Sequence, residues 1–306
     1  MVKFYISKGQ ELTEIPEAKE NCWIHLEAPT HGEIAEIVKL TGVDEEHLLS
    51  VLDEDEVAHI VVQEEVKAVI IDIPKIVGDE IVQTLPLALI TTDKYLISVT
   101  NAGAAVLGDF FSGKFKDVDT AKRTMVVCQI LLHNSRMFLH YLRTIDKESG
   151  FRRGKRLRSM ENKEILEQLD AQKSLVFFSA SLNGNFAVIQ KLANHADSLS
   201  EEERDIIEDT LLDSKQAIEM CYVCREIIKS TMDAFASVVN NNQNKIMKFL
   251  AAVTIILSIP MLIASFWGMN TAVPFQGTFW GFLVVLAASA IVTGIAAVIM
   301  IKKRMF

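Results

Sequence analysis

Two long apolar runs stand out in the C-terminal part of the hydrophobic pattern. They cover residues 248–267 and 279–301, and neither has a charge inside its apolar stretch. At a rise of about 1.5 Å per residue, roughly 20 apolar residues cross a hydrocarbon core about 30 Å thick. A buried helix of a soluble protein would normally keep a polar face, which these runs lack. The pattern therefore predicts two transmembrane helices.

Residues 1–118 instead alternate short apolar segments with amphipathic ones. Strands are predicted at residues 2–6, 22–26, 60–62 running on to 66–73, 87–91 and 95–99, and helices at 33–40 and 45–52. The turn at residues 92–94 predicts a hairpin between the last two strands. Strands with helices between them indicate a sheet covered by helices.

From about residue 119 the pattern is wholly helical. Residues 120–147 and 161–193 each have the spacing of one long helix, and the basic, glycine-broken stretch at 150–159 is interpreted as a solvated helix end. Ser200 and Glu203 have the spacing of a capping box. No proline or glycine follows before Pro260, which predicts one helix from about 201 to 267. A loop at the asparagine-rich residues 240–244 is the alternative, because asparagine is a poor helix former.

The charges that flank the apolar runs predict an orientation. Lys245 and Lys248 lie at the start of the first run, and residues 302–304 after the second are Lys-Lys-Arg. The connecting residues 271–278 carry no charge. By the positive-inside rule, both ends of the chain lie in the cytoplasm and the loop lies outside.

Composition excludes several classes of function. The net charge of −9 disfavours a nucleic-acid partner. No glycine-rich phosphate loop and no nucleophile elbow occurs, so the sequence does not indicate an enzyme. Cys221 and Cys224 have the spacing of a thiol redox pair, but they lie within a helical pattern and are interpreted as helix packing.

The tripeptide Gly268-Met269-Asn270 follows the first apolar run directly. With the long helix before it, the short loop, the last span and the basic tail, it resembles the CorA family of magnesium channels. The resemblance implies a homopentamer in the inner or plasma membrane, with a central pore lined by the first span. Zinc-transporting relatives usually vary the middle residue, so Met269 favours magnesium, with cobalt and nickel as further ions.

On this resemblance, the fold class is an α+β membrane protein with an N-terminal cytoplasmic αβα domain, a long helical stalk and funnel, and two C-terminal transmembrane helices. The partners it implies are further copies of the chain, membrane lipid and divalent cations. The expected domains are a cytoplasmic α/β domain at 1–118, a cytoplasmic helical funnel at 119–243 with the stalk from about 200, and a transmembrane pore domain at 244–306. The last is divided into a first span at about 248–267, an outer loop at 268–278, a second span at about 279–301 and a basic cytoplasmic tail.

Asn270 is the predicted selectivity residue. Magnesium loses its water reluctantly, so a filter should offer neutral oxygen dipoles that bind the hydrated ion without trapping it. A ring of Asn270 amides has that chemistry. Gly268 is expected to let the backbone turn where the helix ends, and Met269 to anchor the turn by packing. A plain helix cap is the alternative role for Asn270.

Helical spacing back from Asn270 predicts a pore-lining face on the first span. Hydroxyl groups there suit a hydrated-ion path, although bonding to the carbonyl four residues earlier is equally consistent with them. Met247 and Leu250 resemble the family's hydrophobic gate, which closes by dewetting. Asn244 resembles its cytoplasmic polar ring. The predicted pore-lining residues are Asn244, Met247, Leu250, Thr254, Ser258 and Ser265.

The resemblance also implies that cytoplasmic magnesium binds between subunits and holds the pore shut. Asp209 falls at the position of the stalk ligand, with Asp213 one turn further on. Asp53, in the acidic cluster 53–56, is the expected partner from the N-terminal domain. Ordinary surface charges are the alternative for all three.

The predicted function is therefore a passive magnesium channel that is driven by the membrane potential and gated by cytoplasmic magnesium. Two alternatives stay open. One is a zinc or other divalent-cation transporter of the same fold, and the other is a membrane-anchored sensor that transports nothing.

Overall fold

The computed structural model describes residues 1–9, 11–63, 66–77, 80–153, 162–194, 199–270, 273–275 and 277–303. They form two compact units, Met1–Ser230 and Thr231–Phe306. The strands are β1 Val2–Lys8, β2 Glu11–Ile15, β3 Trp23–Glu27, β4 His59–Gln63, β5 Val66–Val77, β6 Glu80–Thr91 and β7 Leu96–Thr100. The α-helices are α1 His31–Thr41, α2 Glu45–Leu49, α3 Ala105–Phe111, α4 Arg123–Arg153, α5 Asn162–Asn194, α6 Glu201–Trp267 and α7 Phe279–Lys302, and a 3-10 helix covers Ser50–Leu52.

The strands form one sheet in the order β2-β1-β3-β7-β6-β5-β4, in which only the described pair β3–β7 is parallel. Successive residues of a strand point to opposite faces, and each face has its own core. Val69 and Ile71 belong to the core that also contains residues of α3, α4, α5 and α6. Ile70 belongs to the core that contains residues of α1 and α2. Helices therefore cover both faces, and the predicted αβα layering is confirmed.

Most predicted elements of the first unit are confirmed. The hairpin between β6 and β7 is present, and Thr92 N–H donates to the Tyr95 carbonyl at 3.0 Å. The capping box is present as well: Ser200 N–H donates to Glu203 Oε2 at 2.9 Å, and Glu203 N–H donates to Ser200 Oγ at 3.3 Å. Helix α6 is continuous through the asparagine-rich segment, as predicted.

Three details of the sequence prediction were wrong or incomplete. Strand β2 and helix α3 were not predicted. Helix α4 begins at Arg123 rather than at 120, and it continues past Gly150 to Arg153, where a break was expected. The rest of the basic stretch, from residue 154, lies outside the described residues.

Asn185 of α5 completes the edge of the sheet beside β5. Strand β4 pairs with β5 only as far as Ile70, so the backbone of Asp72 lies beyond its end. There, Asp72 N–H donates to Asn185 Oδ1 at 2.8 Å and Asn185 Nδ2 donates to the Asp72 carbonyl at 2.7 Å. Asn134 of α4 donates to the same carbonyl at 2.9 Å. Side-chain amides from two helices thus satisfy backbone groups that a neighbouring strand would otherwise bond.

Replacing Asn185 by alanine is expected to loosen this edge. The partly buried N–H and carbonyl of Asp72 would lose partners, at a cost of about 1–3 kcal/mol. Hydrogen exchange at the Asp72 amide, measured by mass spectrometry on the whole protein, should become about 10- to 100-fold faster. Asn183→Ala is the matched control, because Asn183 lies on the same helix but is exposed. Equal exchange rates in the two variants would contradict the assignment.

His25 lies in a buried polar cluster within β3 and β7. Trp23 Nε1 donates to Ser98 Oγ at 2.8 Å, and His25 Nδ1 lies 2.9 Å from the same oxygen. The hydroxyl proton of Ser98 is then free to bond Nδ1, which holds the imidazole neutral. Burial lowers the pKa of His25 to about 4, mainly because a charged ring would lose its hydration.

This depressed pKa predicts acid sensitivity of the first unit. Below the usual pKa of 6.5, His25 is protonated in the unfolded chain but stays neutral in the folded chain. The free energy of unfolding therefore falls as the pH drops from 6.5 to about 4. The loss should approach about 3 kcal/mol. His25→Asn keeps an acceptor for Ser98 but does not titrate, so its urea midpoint, measured by pulse proteolysis, should vary less over this range. Parallel pH profiles for the variant and the wild type would refute the prediction.

Candidate functional site

The second unit contains the C-terminal part of α6, all of α7 and the loop between them. Both helices are long and apolar enough to cross a membrane. Helix α6 ends at Trp267 and α7 begins at Phe279, close to the predicted ends of the spans. Pro260 lies inside α6, where it removes one backbone hydrogen bond without ending the helix.

One face of each span is less exposed than the rest. The positions recur every three or four residues, as expected for two helices in contact along one side. Small residues predominate among these positions of α7. On α6 these residues are Ala252, Ile256, Ile259, Ile263 and Trp267, and on α7 they are Gly281, Val285, Ser289, Thr293, Ala296 and Met300.

The predicted pore-lining residues of α6 lie mainly on the other side. Met247 and Leu250 are 59% and 57% exposed, and Leu250 is about 200° around the helix from the fully buried Ala252. Asn244, Thr254 and Ser265 are exposed as well, whereas Ser258 is half-buried. Leu250, Thr254 and Ser265 therefore lie on the side of α6 roughly opposite Ala252. Every residue from 241 to 251 is exposed, so exposure alone does not assign Asn244 and Met247 to a face.

Two of the three candidate hydroxyl groups bond back to the helix. Thr254 Oγ1 donates to the Leu250 carbonyl at 2.9 Å, and Ser258 Oγ donates to the Thr254 carbonyl at 2.7 Å. This is the alternative that the sequence left open. Donating the proton leaves the oxygen lone pairs directed outward, so these groups can still accept hydrogen bonds from water.

Gly268, Met269 and Asn270 follow the last turn of α6. Gly268 N–H donates to the Ala264 carbonyl at 2.9 Å, which continues the helical pattern by one residue. The chain turns at Gly268 as the helix ends, but the φ of Gly268 lies outside the left-handed range, so this turn does not require a glycine. Met269 is 50% exposed, so within one chain it does not provide the packing expected of it. Asn270 is exposed at the end of the segment.

The described part of the loop folds back on both helices. Trp267 Nε1 donates to the Pro274 carbonyl at 3.3 Å, and Thr278 Oγ1 donates to the Phe275 carbonyl at 2.7 Å. Thr278 Oγ1 also accepts from Gly281 N–H at 3.3 Å, which caps α7. Sequence reasoning missed these contacts, although a threonine cap and a glycine in an apolar span were visible signals.

The sequence matches the family model described as CorA-like Mg2+ transporter protein over residues 18–303. The chain belongs to the CorA family. A curated CorA relative, the cobalt/magnesium transport protein of Methanocaldococcus jannaschii, is 26% identical over 280 residues, covering 88% of this chain and 86% of its own.

Solved structures show the CorA fold along nearly the whole chain. The complete CorA magnesium transporter of Methanocaldococcus jannaschii superimposes with a TM-score of 0.82 at 23% identity, covering 99% of this chain and 96% of its own. Full-length CmaX gives a TM-score of 0.74 at 15% identity, covering 99% and 97%. The cytoplasmic domain of ZntB from Vibrio parahaemolyticus gives 0.63 at 14% identity, covering 79% and 97%. These likenesses show that the chain has an N-terminal sheet domain, a long helix and two membrane spans.

The regulatory acids expected from the CorA resemblance do not form a site within one chain. Among the described residues, no three His, Cys, Asp or Glu side chains are grouped to hold a metal ion. Asp209 is exposed. Asp213 Oδ2 pairs with Arg136 Nε at 3.1 Å, and Asp53 Oδ1 accepts from Asp55 N–H at 3.1 Å.

The two cysteines of α6 are packing residues, as predicted. Cys221 Sγ donates to the Leu175 carbonyl and Cys224 Sγ donates to the Leu142 carbonyl. Burial raises the pKa of both thiols to about 11. Neither is a reactive thiolate at neutral pH, which argues against redox or metal chemistry here.

Proposed function

We propose that this chain is one subunit of a passive magnesium channel in the cell membrane. The observation that carries the proposal is the exposed side of α6 opposite Ala252, which carries Leu250, Thr254 and Ser265 and leads to Asn270. An apolar span that carries hydroxyl groups on an unpacked side needs either water or further subunits beside them. A ring of copies supplies both. The family resemblance favours five copies and the three-part division at residues 118 and 243.

Asn270 is proposed to select the ion at the outer mouth. Its amide oxygen can accept hydrogen bonds from the water shell of Mg²⁺, which the ion keeps during passage. Several amides arranged around an axis would hold that shell without displacing it. Below them, the outward lone pairs of Thr254 and Ser258, together with the Ser265 hydroxyl, would serve as further acceptors along the path.

Met247 and Leu250 are proposed to form the gate. Apolar side chains that meet at a narrow point exclude water, and a hydrated ion cannot pass a dry constriction. Asn244, one turn nearer the cytoplasm, would receive the ion when the gate is wet. Lys245 and Lys248, with Lys302 at the end of α7 and Lys303 after it, support a cytoplasmic position for this end of both spans by the positive-inside rule.

The membrane potential is the proposed driving force. It supplies about 2.3 kcal/mol per charge per 100 mV, or about 4.6 kcal/mol for a divalent ion. The loop residues 271–278 include no acidic side chain that would concentrate cations at the mouth. Attraction therefore rests on the Asn270 dipoles and the potential, and no nucleotide motif is needed.

Cytoplasmic magnesium is proposed to close the channel by binding between subunits. Asp209 is the best-placed ligand, because it is exposed on α6. Asp53 would come from the neighbouring copy. Asp213 is already paired with Arg136, so it would have to exchange that partner for the ion.

Ion uptake into proteoliposomes tests the proposal. The purified protein should admit Mg²⁺ when the interior is made negative, and uptake should fall when Mg²⁺ is preloaded inside. Competition with Co²⁺, Ni²⁺ and Zn²⁺ ranks the ions by their preference for the channel. Uptake of Zn²⁺ that is faster than uptake of Mg²⁺ would favour the zinc alternative. The absence of any potential-dependent uptake would instead support a membrane-anchored sensor.

A further inference from the structure

Gly281, near the start of α7, is a point of very close approach. A Cβ atom built at this position would lie 2.5 Å from the Phe275 carbonyl oxygen and 2.8 Å from Trp267 Cζ2. It would also lie 3.1 Å from Phe275 Cβ. Gly294, on the same helix, has nothing within 4 Å of the corresponding position. The space for a side chain is therefore missing at Gly281 in particular.

The atoms that crowd Gly281 are held in place from several sides. The Trp267 indole is bonded to the Pro274 carbonyl, and the Phe275 carbonyl accepts from Thr278 Oγ1. Phe275 has a φ of 61°, which is uncommon for a residue with a Cβ and needs support from its surroundings. We call these residues (Trp267, Pro274, Phe275, Thr278 and Gly281) the outer clasp.

The outer clasp begins directly beside the selectivity tripeptide. Trp267 is the last residue of α6 and directly precedes Gly268. Holding its indole in place therefore restricts the positions that the backbone of Asn270 can take. The other end of the loop is tied to the first turn of α7 by the Thr278 cap. Trp267 is three residues before Asn270, so a shift of Trp267 is transmitted to the filter along a short stretch of backbone.

We propose that Gly281 is a positioning residue for the Asn270 filter, because the missing side chain lets Trp267 and the loop close against α7. This inference rests on the proposed channel function. A methyl group at residue 281 must push the Phe275 backbone or the Trp267 ring outward by several tenths of an ångström. Displacements approaching 1 Å in a preorganised site cost about 100-fold in rate, so Gly281→Ala should lower Mg²⁺ uptake by about 10- to 100-fold.

The test compares Gly281→Ala with Gly294→Ala in the full-length, reconstituted protein. Gly294→Ala adds the same methyl group to the same helix in open space, so its uptake should equal that of the wild type. The second readout is the ¹⁹F spectrum of protein labelled with 5-fluorotryptophan, with the Trp267 resonance assigned through Trp267→Phe. That resonance should shift in Gly281→Ala and stay in place in Gly294→Ala.

A third variant protects the test against misfolding. Thr278→Val removes the hydroxyl that bonds Phe275 without adding bulk at residue 281, and it should shift the Trp267 resonance and lower uptake several-fold. If Gly281→Ala fails to assemble, Thr278→Val decides the question. An unchanged Trp267 resonance with wild-type uptake in the assembled variants overturns the inference. A wild-type protein that moves no ion rejects the channel instead, while the resonance still reports on the clasp.

Discussion

Asn270→Ala is expected to reduce Mg²⁺ uptake by at least about 100-fold. Each amide that accepts a hydrogen bond from the ion's water shell contributes about 1 kcal/mol. A symmetric assembly loses this contribution from every subunit at once, so three or more copies give a loss of about 3 kcal/mol or more. The exposed side chain of Asn270 makes no hydrogen bond within the described part of the chain, so its removal should leave the fold intact.

The matched control is Asn242→Ala in the asparagine-rich part of α6. Asn242 is an exposed amide like Asn270, but it lies about 200° around the helix from Asn244 and so faces away from the proposed path. Its uptake should stay within about twofold of the wild type. Uptake by Asn270→Ala that matches this control, at equal protein incorporation, would rule out the amide filter.

The elements that could be predicted from sequence are those with a long or repeated signal. Helix α6 was predicted because Ser200 and Glu203 mark its start and no breaker follows for many residues. Strand β2 was missed because it is a short edge strand in which three of the five residues, Glu11, Thr13 and Glu14, are polar. Helix α3 was missed because Ala104 stands at its N-cap and provides no capping side chain.

Gly150 shows why a break signal can fail. A single glycine costs a helix about 1 kcal/mol relative to alanine, and α4 is 31 residues long. The remaining turns of such a helix outweigh one weak position. The predicted break relied on the low helix propensity of Gly150 alone and did not weigh it against the rest of the helix.

Only part of the candidate site could be predicted from the sequence. The tripeptide at Gly268 was recognisable because it occupies a particular place beside a membrane span. The outer clasp was not, because its contacts join side chains to the backbone carbonyls of Pro274 and Phe275, which any residue could supply. The same holds for Asn185, whose partner is the backbone of Asp72. Sequence patterns show which side chains are present, but these bonds depend on where the chain folds back.

The second large effect is expected at the proposed gate. Replacing both Met247 and Leu250 by serine should raise Mg²⁺ uptake into vesicles preloaded with Mg²⁺ by at least about tenfold. Both side chains are more than half exposed and lie about 140° and 200° around α6 from the buried Ala252, so in the proposed ring they would meet their symmetry mates. Hydrating a leucine-sized side chain costs about 2 kcal/mol, and serine removes that cost, so the constriction should fill with water and conduct.

Phe249→Ser is the control for this gate, because it removes an apolar side chain of similar exposure from the neighbouring position. Phe249 is 54% exposed and lies about 100° around the helix from Leu250, so it points away from the proposed axis. The control should keep the inhibition by internal Mg²⁺. If the double variant is still inhibited as strongly as Phe249→Ser, closure does not depend on dewetting at these two residues. The barrier would then have to lie elsewhere along α6, with the ring of Asn244 as the next position to substitute.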